Sequence, residues 1–489
     1  MINWKDEDIM SINIDELKKN LKSNPVFNMS LSGKEIFHSN VLAWLLSETD
    51  DNNEPTATAY ALTEIFHPKD KKDGEQYRVL TVFREKNDFD LLIVYLKKDD
   101  YNNFIDKRKK ASIDTKINIE DEADEIKFES DRKEALKDQM DLLAKCKFVV
   151  VENKFKAIPD NEQLENYYFE ICGYKQNQKK EWNNERFINL VNVSRGDKIK
   201  LEESNTTCYL LAPQEALSLF ETKGTYTKTI NFDYKNNKTK RAENTNITVN
   251  WYLISYDELI KKIKPEGQNG LILNHYVDFT QRMLELSKDA VTVDNKTKLY
   301  DFEANVRLLK SIRIHDFYEK LWFSAVLAKI KNNLSDEINN NKLIPSVGYS
   351  NGMGMLNFMY DFEKYPEARF GIEIQAKQFR IAVYITNKKQ YKWETKTGTT
   401  YTDPEKIQYE KIFNWVHSIY EQINQDNKEH FDYPDEKELE LRKFADFKYI
   451  KIPLNEQYLT IEVLGKKIKE VLTIMKSKET DFKGKTQRI

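Results

Sequence analysis

The sequence predicts an α/β fold, with a sheet flanked by helices in the first part of the chain and a separate α+β domain after it. Two apolar, β-branched runs at residues 89–94 and 148–151 have the composition of buried strands. A helical apolar pattern at residues 32–46 precedes them, and a second predicted helix at residues 160–168 follows them. This alternation of helices and strands indicates a layered sheet-and-helix domain.

The length of the chain and a segment that contains Pro and Gly predict two domains. With 489 residues the chain is long enough for two or three domains. Pro and Gly within residues 264–270 end the preceding helical pattern, and the pattern changes in character after them. We therefore expect a first domain at residues 1–265 and an α+β recognition or regulatory domain at residues 266–489.

Composition limits the class of protein. Hydrophobic residues make up 40% of the chain, with 26 Phe and 26 Tyr, which excludes a wholly disordered protein. Cys146, Cys172 and Cys208 are too widely spaced for a disulfide framework or a metal knuckle. The acidic residues 1–8 do not resemble a signal peptide, and no apolar run reaches the length of a membrane span. We expect a cytoplasmic protein with no membrane partner.

The helix predicted at residues 32–46 carries polar side chains beside a core-facing stripe. Phe37, Val41, Trp44 and Leu45 have the spacing of a buried face, whereas Glu35, His38 and Ser39 share another side. Ser32 followed by Glu35 also fits a capping box, so Glu35 has a capping interpretation beside a catalytic one. The two roles are compatible.

Acidic residues lie at the rims of both apolar strands. Asp90 stands at the start of the first, and Glu152 and Lys154 stand at the end of the second. Strand side chains alternate between faces, so Glu152 and Lys154 project to one side and Asn153 to the other. Carboxylates on adjacent strands can hold Mg²⁺ while leaving positions for water and phosphate. The charged stretch between the strands, about residues 97–146, indicates an insertion.

The helix predicted at residues 160–168 adds two polar groups. Gln163 and Tyr167 are four residues apart and are therefore neighbours on one helix face. Asp160 with Gln163 also fits a capping box, which is the structural alternative for Gln163.

The order of these motifs is similar to that of the PD-(D/E)XK nuclease superfamily. The relevant segments are Glu-x-x-His-Ser in the first helix, Asp90, Glu152-Asn153-Lys154, and Gln163-x-x-x-Tyr167. They resemble the bacterial branch with a His-Ser helix and a RecB-like Gln-x-x-x-Tyr motif. The resemblance covers roughly the first half of the chain, and Phe89 stands where the family motif has Pro.

The resemblance implies a fold and a site. The fold is a restriction-endonuclease-like mixed sheet flanked by helices. Asp90, Glu152 and Lys154 are then the metal-binding and catalytic set, and Glu35 is an accessory metal-binding or orienting carboxylate. Gln163 and Tyr167 are supporting residues of the same site.

The implied activity is Mg²⁺-dependent hydrolysis of DNA phosphodiester bonds, with Mn²⁺ as a substitute, in bacterial defence against phage DNA. A gating protein partner or a homodimer is compatible with this activity. Two alternatives stay open: a catalytically silent nuclease fold that binds nucleic acid or regulates, and an RNA-cleaving abortive-infection effector.

His38 belongs to the candidate site by its position in the motif. A hard-cation site prefers oxygen ligands, so we favour a supporting hydrogen-bonding role for His38 over metal ligation. The other histidines lack the paired spacing of a zinc site.

A basic and aromatic segment at residues 223–241 is a candidate nucleic-acid-binding element. Interleaved cations and aromatic rings can hold phosphates and stack on bases. The alternation of Tyr226, Lys228 and Ile230 also fits one strand of a solvated hairpin, which is the favoured interpretation. The candidate nucleic-acid-binding residues are Lys228, Lys235, Lys238, Lys240 and Arg241.

The second half shows secondary structure without a catalytic motif. Helical patterns occur near residues 271–286, 316–330, 404–424 and 455–475. Two strands about a short turn are expected at residues 370–375 and 379–385.

Overall fold

The computed structural model shows two compact units. The N-terminal unit is Lys19–Glu285, and the C-terminal unit comprises the described part of Leu286–Ile489 with the first helix up to Lys18. The structure describes residues 13–30, 34–50, 54–69, 75–86, 89–114, 141, 144–155, 161–176, 182–184, 190–194, 197–200, 202–218, 224–236, 242–265, 270–334, 343–350, 352–361, 368–385, 403–423, 425, 428–435, 439–444, 447–455 and 459–478.

The N-terminal unit contains a long sheet with helices packed against it. Its described helices are α1 (Ile14–Ser23, which begins before the unit), α2 (Pro25–Ser30), α3 (Lys34–Ser47), α4 (Ala57–Ile65), α5 (Lys98–Asp114), α6 (Asn161–Ile171), α7 (Gln214–Leu217), α8 (Tyr256–Ile260) and α9 (Gly270–Val291, which ends beyond it). Its described strands are β1 (Tyr77–Lys86), β2 (Phe89–Lys97), β3 (Lys147–Asn153), β4 (Tyr174–Gln176), β5 (Trp182–Asn184), β6 (Leu190–Ser194), β7 (Asp197–Lys200), β8 (Thr206–Ala212), β9 (Thr225–Asn236) and β10 (Ala242–Ser255).

The main sheet is mixed. Its strands lie in the order β1-β2-β3-β8-β10-β9-β5-β4, while β6 and β7 form a separate pair. The β1-β2-β3 portion is antiparallel, and β8 is parallel to both β3 and β10. Helix α6 lies in the connection between β3 and β8, as a crossover between parallel strands requires. The prediction of an α/β protein with a mixed sheet flanked by helices is confirmed at this level.

Side chains on both faces of strands β2 and β3 are buried. The side chains of residues 91–96 and 148–151 are fully buried. Such continuous apolar runs are typical of strands buried on two sides rather than one. Helix α3 packs against β1, β2 and β3 on one face.

The charged insertion begins with a helix that belongs to the unit's packed structure. Helix α5 contacts β1 and β2, and its Phe104 side chain is buried. Residues 115–140 lie outside the described part of the chain.

The described part of the basic and aromatic segment forms β9, one strand of an antiparallel pair. Strands β9 and β10 pair antiparallel, from Thr225 opposite Tyr252 to Lys235 opposite Ala242. The strand alternation predicted around Tyr226 is therefore present, and the first half of β10 extends beyond the N-terminal end of β8.

The C-terminal unit is built on an antiparallel sheet. Its described helices are α10 (Glu303–Lys310), α11 (His315–Asn333), α12 (Asp403–Tyr420) and α13 (Ile461–Ser477), and its strands are β11 (Leu343–Ser350), β12 (Met353–Asp361), β13 (Ala368–Gln375), β14 (Gln378–Ile385), β15 (Arg442–Phe444) and β16 (Phe447–Pro453). The strand order is β11-β12-β13-β14-β16-β15. All neighbouring pairs are antiparallel.

The predicted β13–β14 hairpin is present with a tight turn. Ala376 and Lys377, which connect the strands, both have positive φ, at 50° and 59°. Two successive positive φ angles match the twist of a two-residue hairpin connection. Neither residue is Gly or Asn, so the turn is formed against the usual residue preference.

The division between the units falls within α9. The Pro and Gly segment at residues 264–270 ends at the first residue of this helix, whose first half contributes Tyr276 and Phe279 to the N-terminal unit's core.

Within the described residues, no helix combines the length and apolar character needed to cross a bilayer.

Candidate active site

Strands β2 and β3 bring the two predicted carboxylates to the same end of the strand pair. The last pair of the antiparallel register is Leu91 with Val151, and Asp90 and Glu152 are the next residue on each strand. Both carboxylates raise the pKa of the Tyr167 hydroxyl. Residues that are 62 positions apart in the sequence therefore act on the same group of side chains.

Lys154 reaches Glu152 on the same side of β3. Its Nζ lies 2.8 Å from Glu152 Oε1. The Lys154 backbone amide donates to Leu211 O at 2.8 Å, which continues the β3–β8 pairing past the last residue assigned to β3. The extended backbone at Lys154 explains why Glu152 and Lys154 project together.

Helix α6 completes this polar group. Gln163 Nε2 donates to Glu152 Oε1 at 3.1 Å and to Tyr167 OH at 2.8 Å. The Tyr167 ring packs edge-on against Phe89, with ring centroids 5.6 Å apart. Gln163 and Tyr167 are thus held at the carboxylates by both hydrogen bonding and packing.

Burial makes the Glu152–Lys154 pair energetically important. Glu152 is 1% exposed and Lys154 is 8% exposed. A buried charge is tolerated when an opposite charge and hydrogen bonds compensate for its lost hydration. Lys154 and Gln163 supply that compensation for Glu152.

The pKa of the Tyr167 hydroxyl is shifted by the charged and polar side chains around it. Burial raises the pKa of its hydroxyl, and the negative charges of Glu152 and, more weakly, Asp90 raise it further. The hydrogen bond from Gln163 and the positive charge of Lys154 act in the opposite direction on this pKa. Tyr167 therefore stays protonated, and its hydroxyl remains a hydrogen-bond donor at neutral pH.

Asp90 is tied to β3 through the backbone. It is partly exposed, and its Oδ2 accepts a hydrogen bond from the Asn153 amide at 2.7 Å. The Asn153 side chain projects to the opposite face, where it contacts Ser39 of α3 and Tyr256 of α8. Sequence reasoning placed Asn153 on that face but did not identify these partners.

His38 lies in an aromatic cluster on the α3 side of the sheet. Its ring is fully buried, 3.8 Å from the Phe155 centroid and stacked on Phe279 at 5.4 Å. Its Nδ1 lies 3.2 Å from Tyr276 OH. The structure therefore places His38 on the face of β3 that carries Asn153, away from the Glu152 side.

Glu35 lies in the first turn of α3, but its side chain is outside the described part of the structure. Among the described residues, no group of three or more His, Cys, Asp or Glu side chains is arranged to hold a metal ion. Of the predicted metal-binding carboxylates, the structure describes the side chains of Asp90 and Glu152, which lie at the same end of the β2–β3 pair.

Of the five candidate nucleic-acid-binding residues, the structure describes the side chain of Lys228 alone. Lys228 Nζ pairs with Glu165 Oε1 of α6 at 2.7 Å, and Tyr226 OH donates to the same oxygen at 2.7 Å. Lys235 belongs to β9, but its side chain is not described. Lys238, Lys240 and Arg241 lie outside the described residues.

A scan against models of known protein families, a search of curated proteins and a search of solved structures each gave no match for this chain.

Proposed function

We propose that this protein is a Mg²⁺-dependent nuclease that hydrolyses DNA phosphodiester bonds. The observation that carries the proposal is the buried Glu152–Lys154 pair, with Nζ 2.8 Å from Oε1, at the end of β3 where the Asn153 amide donates to Asp90. The chain order α3-α4-β1-β2-α5-β3-α6, with β8 beside β3 in the sheet, supports a restriction-endonuclease-like arrangement for this part of the chain.

The donor set fits a hard divalent cation. Asp90 and Glu152 would hold Mg²⁺, or Mn²⁺ in its place, with Glu35 as an accessory carboxylate. Mg²⁺ commonly takes one or two protein carboxylates and completes its coordination with water and substrate phosphate. When bound, the ion would lower the pKa of a coordinated water and offset charge on the phosphate.

The residues around the carboxylates have separate tasks. The Lys154 ammonium, held beside Glu152, would orient the attacking water and stabilise negative charge that develops on the phosphate. Gln163 fixes the Glu152 carboxylate through its hydrogen bond to Oε1. Tyr167, which stays protonated, would donate to the nucleic-acid backbone, and His38 supports α3 from within the core.

The substrate and biological role follow the family resemblance. Phosphate contacts dominate the affinity of proteins for DNA, so the basic residues of the β9–β10 hairpin sequence are the proposed phosphate-binding element. Lys228 would have to exchange its bond to Glu165 for a phosphate. Cleavage of foreign DNA in a bacterial cytoplasm, gated by a partner or by dimerisation, is the role that we propose.

A cleavage assay tests the proposal. Purified full-length protein is incubated with linear duplex, circular and single-stranded DNA, and with RNA, in Mg²⁺, Mn²⁺ or EDTA. We expect DNA cutting that needs the metal and is lost in Asp90→Ala and Lys154→Ala. Matched controls are Asp99→Ala and Lys107→Ala, because both side chains are exposed on α5.

Each other outcome points to a different function. RNA loss with intact DNA would replace the DNase proposal with the RNA-cleaving effector. Metal-independent nucleic-acid binding that is unchanged in both site variants, without cutting, would favour the silent binding protein.

A further inference from the structure

A buried hydrogen-bonded network lies directly behind the candidate site. Asn153 Nδ2 donates to Ser39 Oγ at 3.2 Å, and Tyr256 OH donates to Asn153 Oδ1 at 2.6 Å. All three residues are at most 1% exposed. Buried polar groups that find partners in this way fix one arrangement, because an alternative would leave a group without its hydrogen bond.

The network joins three separate elements at one residue of β3. Ser39 comes from α3, and Tyr256 is the first residue of α8, where Ser255 Oγ caps the helix by accepting from Glu258 N. The Tyr256 ring also packs on Phe155, with centroids 4.5 Å apart. The Asn153 side chain is therefore held from two sides.

The same residue contacts the carboxylate site through its backbone. Asn153 lies between Glu152 and Lys154, and its amide donates to Asp90 Oδ2 at 2.7 Å. The last assigned pair between β2 and β3 is Leu91 with Val151. Beyond that pair, a side-chain carboxylate accepts the amide, so the orientation of the Asn153 peptide determines where Asp90 sits relative to Glu152.

We propose that Asn153 is a positioning residue for the metal-binding carboxylates, and that Ser39 and Tyr256 hold it in place. This inference rests on the proposed function. By holding the Asn153 side chain, the network fixes the rotation of β3 at its end. That rotation directs Glu152 and Lys154 to one face and aims the Asn153 amide at Asp90. Groups that orient metal ligands typically change metal affinity by about 10–100-fold when removed.

The test compares two tyrosine variants in the full-length protein. Tyr256→Phe removes the donor to Asn153 and keeps the ring. Tyr95→Phe is the matched control, because Tyr95 is equally buried and its hydroxyl donates to Phe66 O at 2.6 Å rather than to Asn153. Mn²⁺ binding is measured directly, by the loss of the free-ion signal in electron paramagnetic resonance. Cleavage is measured alongside it.

We expect the Mn²⁺ dissociation constant to rise about 10-fold or more in Tyr256→Phe and to stay near wild type in Tyr95→Phe. Ser39→Ala gives a second measurement if Tyr256→Phe does not fold, and the same direction is expected. An unchanged dissociation constant in a folded Tyr256→Phe or Ser39→Ala protein would overturn the positioning role.

The two proposals fail in distinguishable ways. Wild-type protein that binds Mn²⁺ and cuts DNA, with unchanged affinity in the network variants, removes the positioning role alone. Wild-type protein that binds no Mn²⁺, or binds it equally well in Asp90→Ala, overturns both.

Discussion

Lys154 and Glu152 form an ion pair in which both partners are buried: Nζ lies 2.8 Å from Oε1, and the two side chains are 10% and 2% exposed. A second pair, Lys228 with Glu165, has nearly the same separation of 2.7 Å, but the Lys228 side chain is 53% exposed. The two pairs differ mainly in the hydration that each charge has lost. Their contributions to stability should differ accordingly.

Lys154→Met should destabilise the N-terminal unit by about 3 kcal/mol, because it leaves a buried carboxylate without its cation. Lys228→Met should cost less than about 1 kcal/mol, since water screens the exposed pair. Native-state hydrogen exchange of peptides that cover β3 measures the opening free energy of this unit. The double variant Lys154→Met with Glu152→Gln should recover part of the loss. Equal losses in the single and double variants would contradict the buried-charge explanation.

The pKa of Tyr167 should respond to its charged neighbours in opposite directions. Burial and Glu152 raise this pKa above the ordinary value, whereas Lys154 lowers it. Glu152→Gln should therefore lower the Tyr167 pKa, and Lys154→Met should raise it further. The Tyr167 pKa is higher in the folded than in the unfolded state. Its contribution to the free energy of unfolding is therefore fully present below the unfolded-state pKa of about 10. It is lost as the pH rises through the folded-state value.

Titration of ¹³C-labelled tyrosine by NMR measures the pKa of Tyr167, and Tyr167→Phe assigns the resonance. Tyr60→Phe, which removes the hydroxyl of a tyrosine that is 50% exposed on α4, is the control substitution and should leave the Tyr167 pKa unchanged. A shift of the Tyr167 pKa in the same direction in both variants would contradict this electrostatic explanation.

Gln163→Glu should reduce DNA cleavage by about 100-fold, a magnitude typical of losing one oriented donor in an active site. The substitution keeps the side-chain shape but replaces the amide that donates to Glu152 and Tyr167 with a second negative charge. Glu162→Gln, on the exposed side of the same helix turn, should leave the cleavage rate near wild type. A Gln163→Glu protein that cuts at the wild-type rate would remove Gln163 from the proposed site.

Local patterns in the sequence were sufficient for the elements that carry the candidate site. Helix α3, predicted at residues 32–46, spans Lys34–Ser47, and the strands with Asp90 and Glu152 form as expected. Their apolar runs are long enough to specify buried strands without tertiary information. The side of β3 occupied by Glu152 and Lys154 follows from strand alternation alone.

Contacts between distant residues could not be predicted in the same way. Asn153 meets Ser39 and Tyr256 across 114 and 103 residues, and no local period encodes such a contact. Likewise, alternation predicted the β9 strand but not which face packs on α6. The structure shows that the face with Tyr226 and Lys228 does so through Glu165.

In the C-terminal unit, Tyr318→Phe should destabilise the protein more at neutral pH than in acid. Tyr318 OH donates to Asp289 Oδ2 at 2.6 Å, and Asn305 donates to Tyr318 OH at 2.8 Å. Burial raises the pKa of Asp289, and the bond from Tyr318 lowers it. Removing the hydroxyl therefore raises the folded-state pKa further, because the ionised carboxylate loses a donor. The loss should be about 2 kcal/mol at neutral pH, where the carboxylate is charged.

The sign of the pH dependence distinguishes this explanation from a simple loss of packing. The loss of unfolding free energy in Tyr318→Phe should be complete above the folded-state pKa that Asp289 has in the variant. It should disappear below the ordinary Asp pKa of 3.8, where Asp289 is protonated in both the folded and the unfolded state. Hydrogen exchange of α11 peptides at several pH values measures it. Tyr384→Phe is the control, since that side chain is 37% exposed and should change little. A pH-independent loss would assign the effect to packing, because packing does not titrate with Asp289.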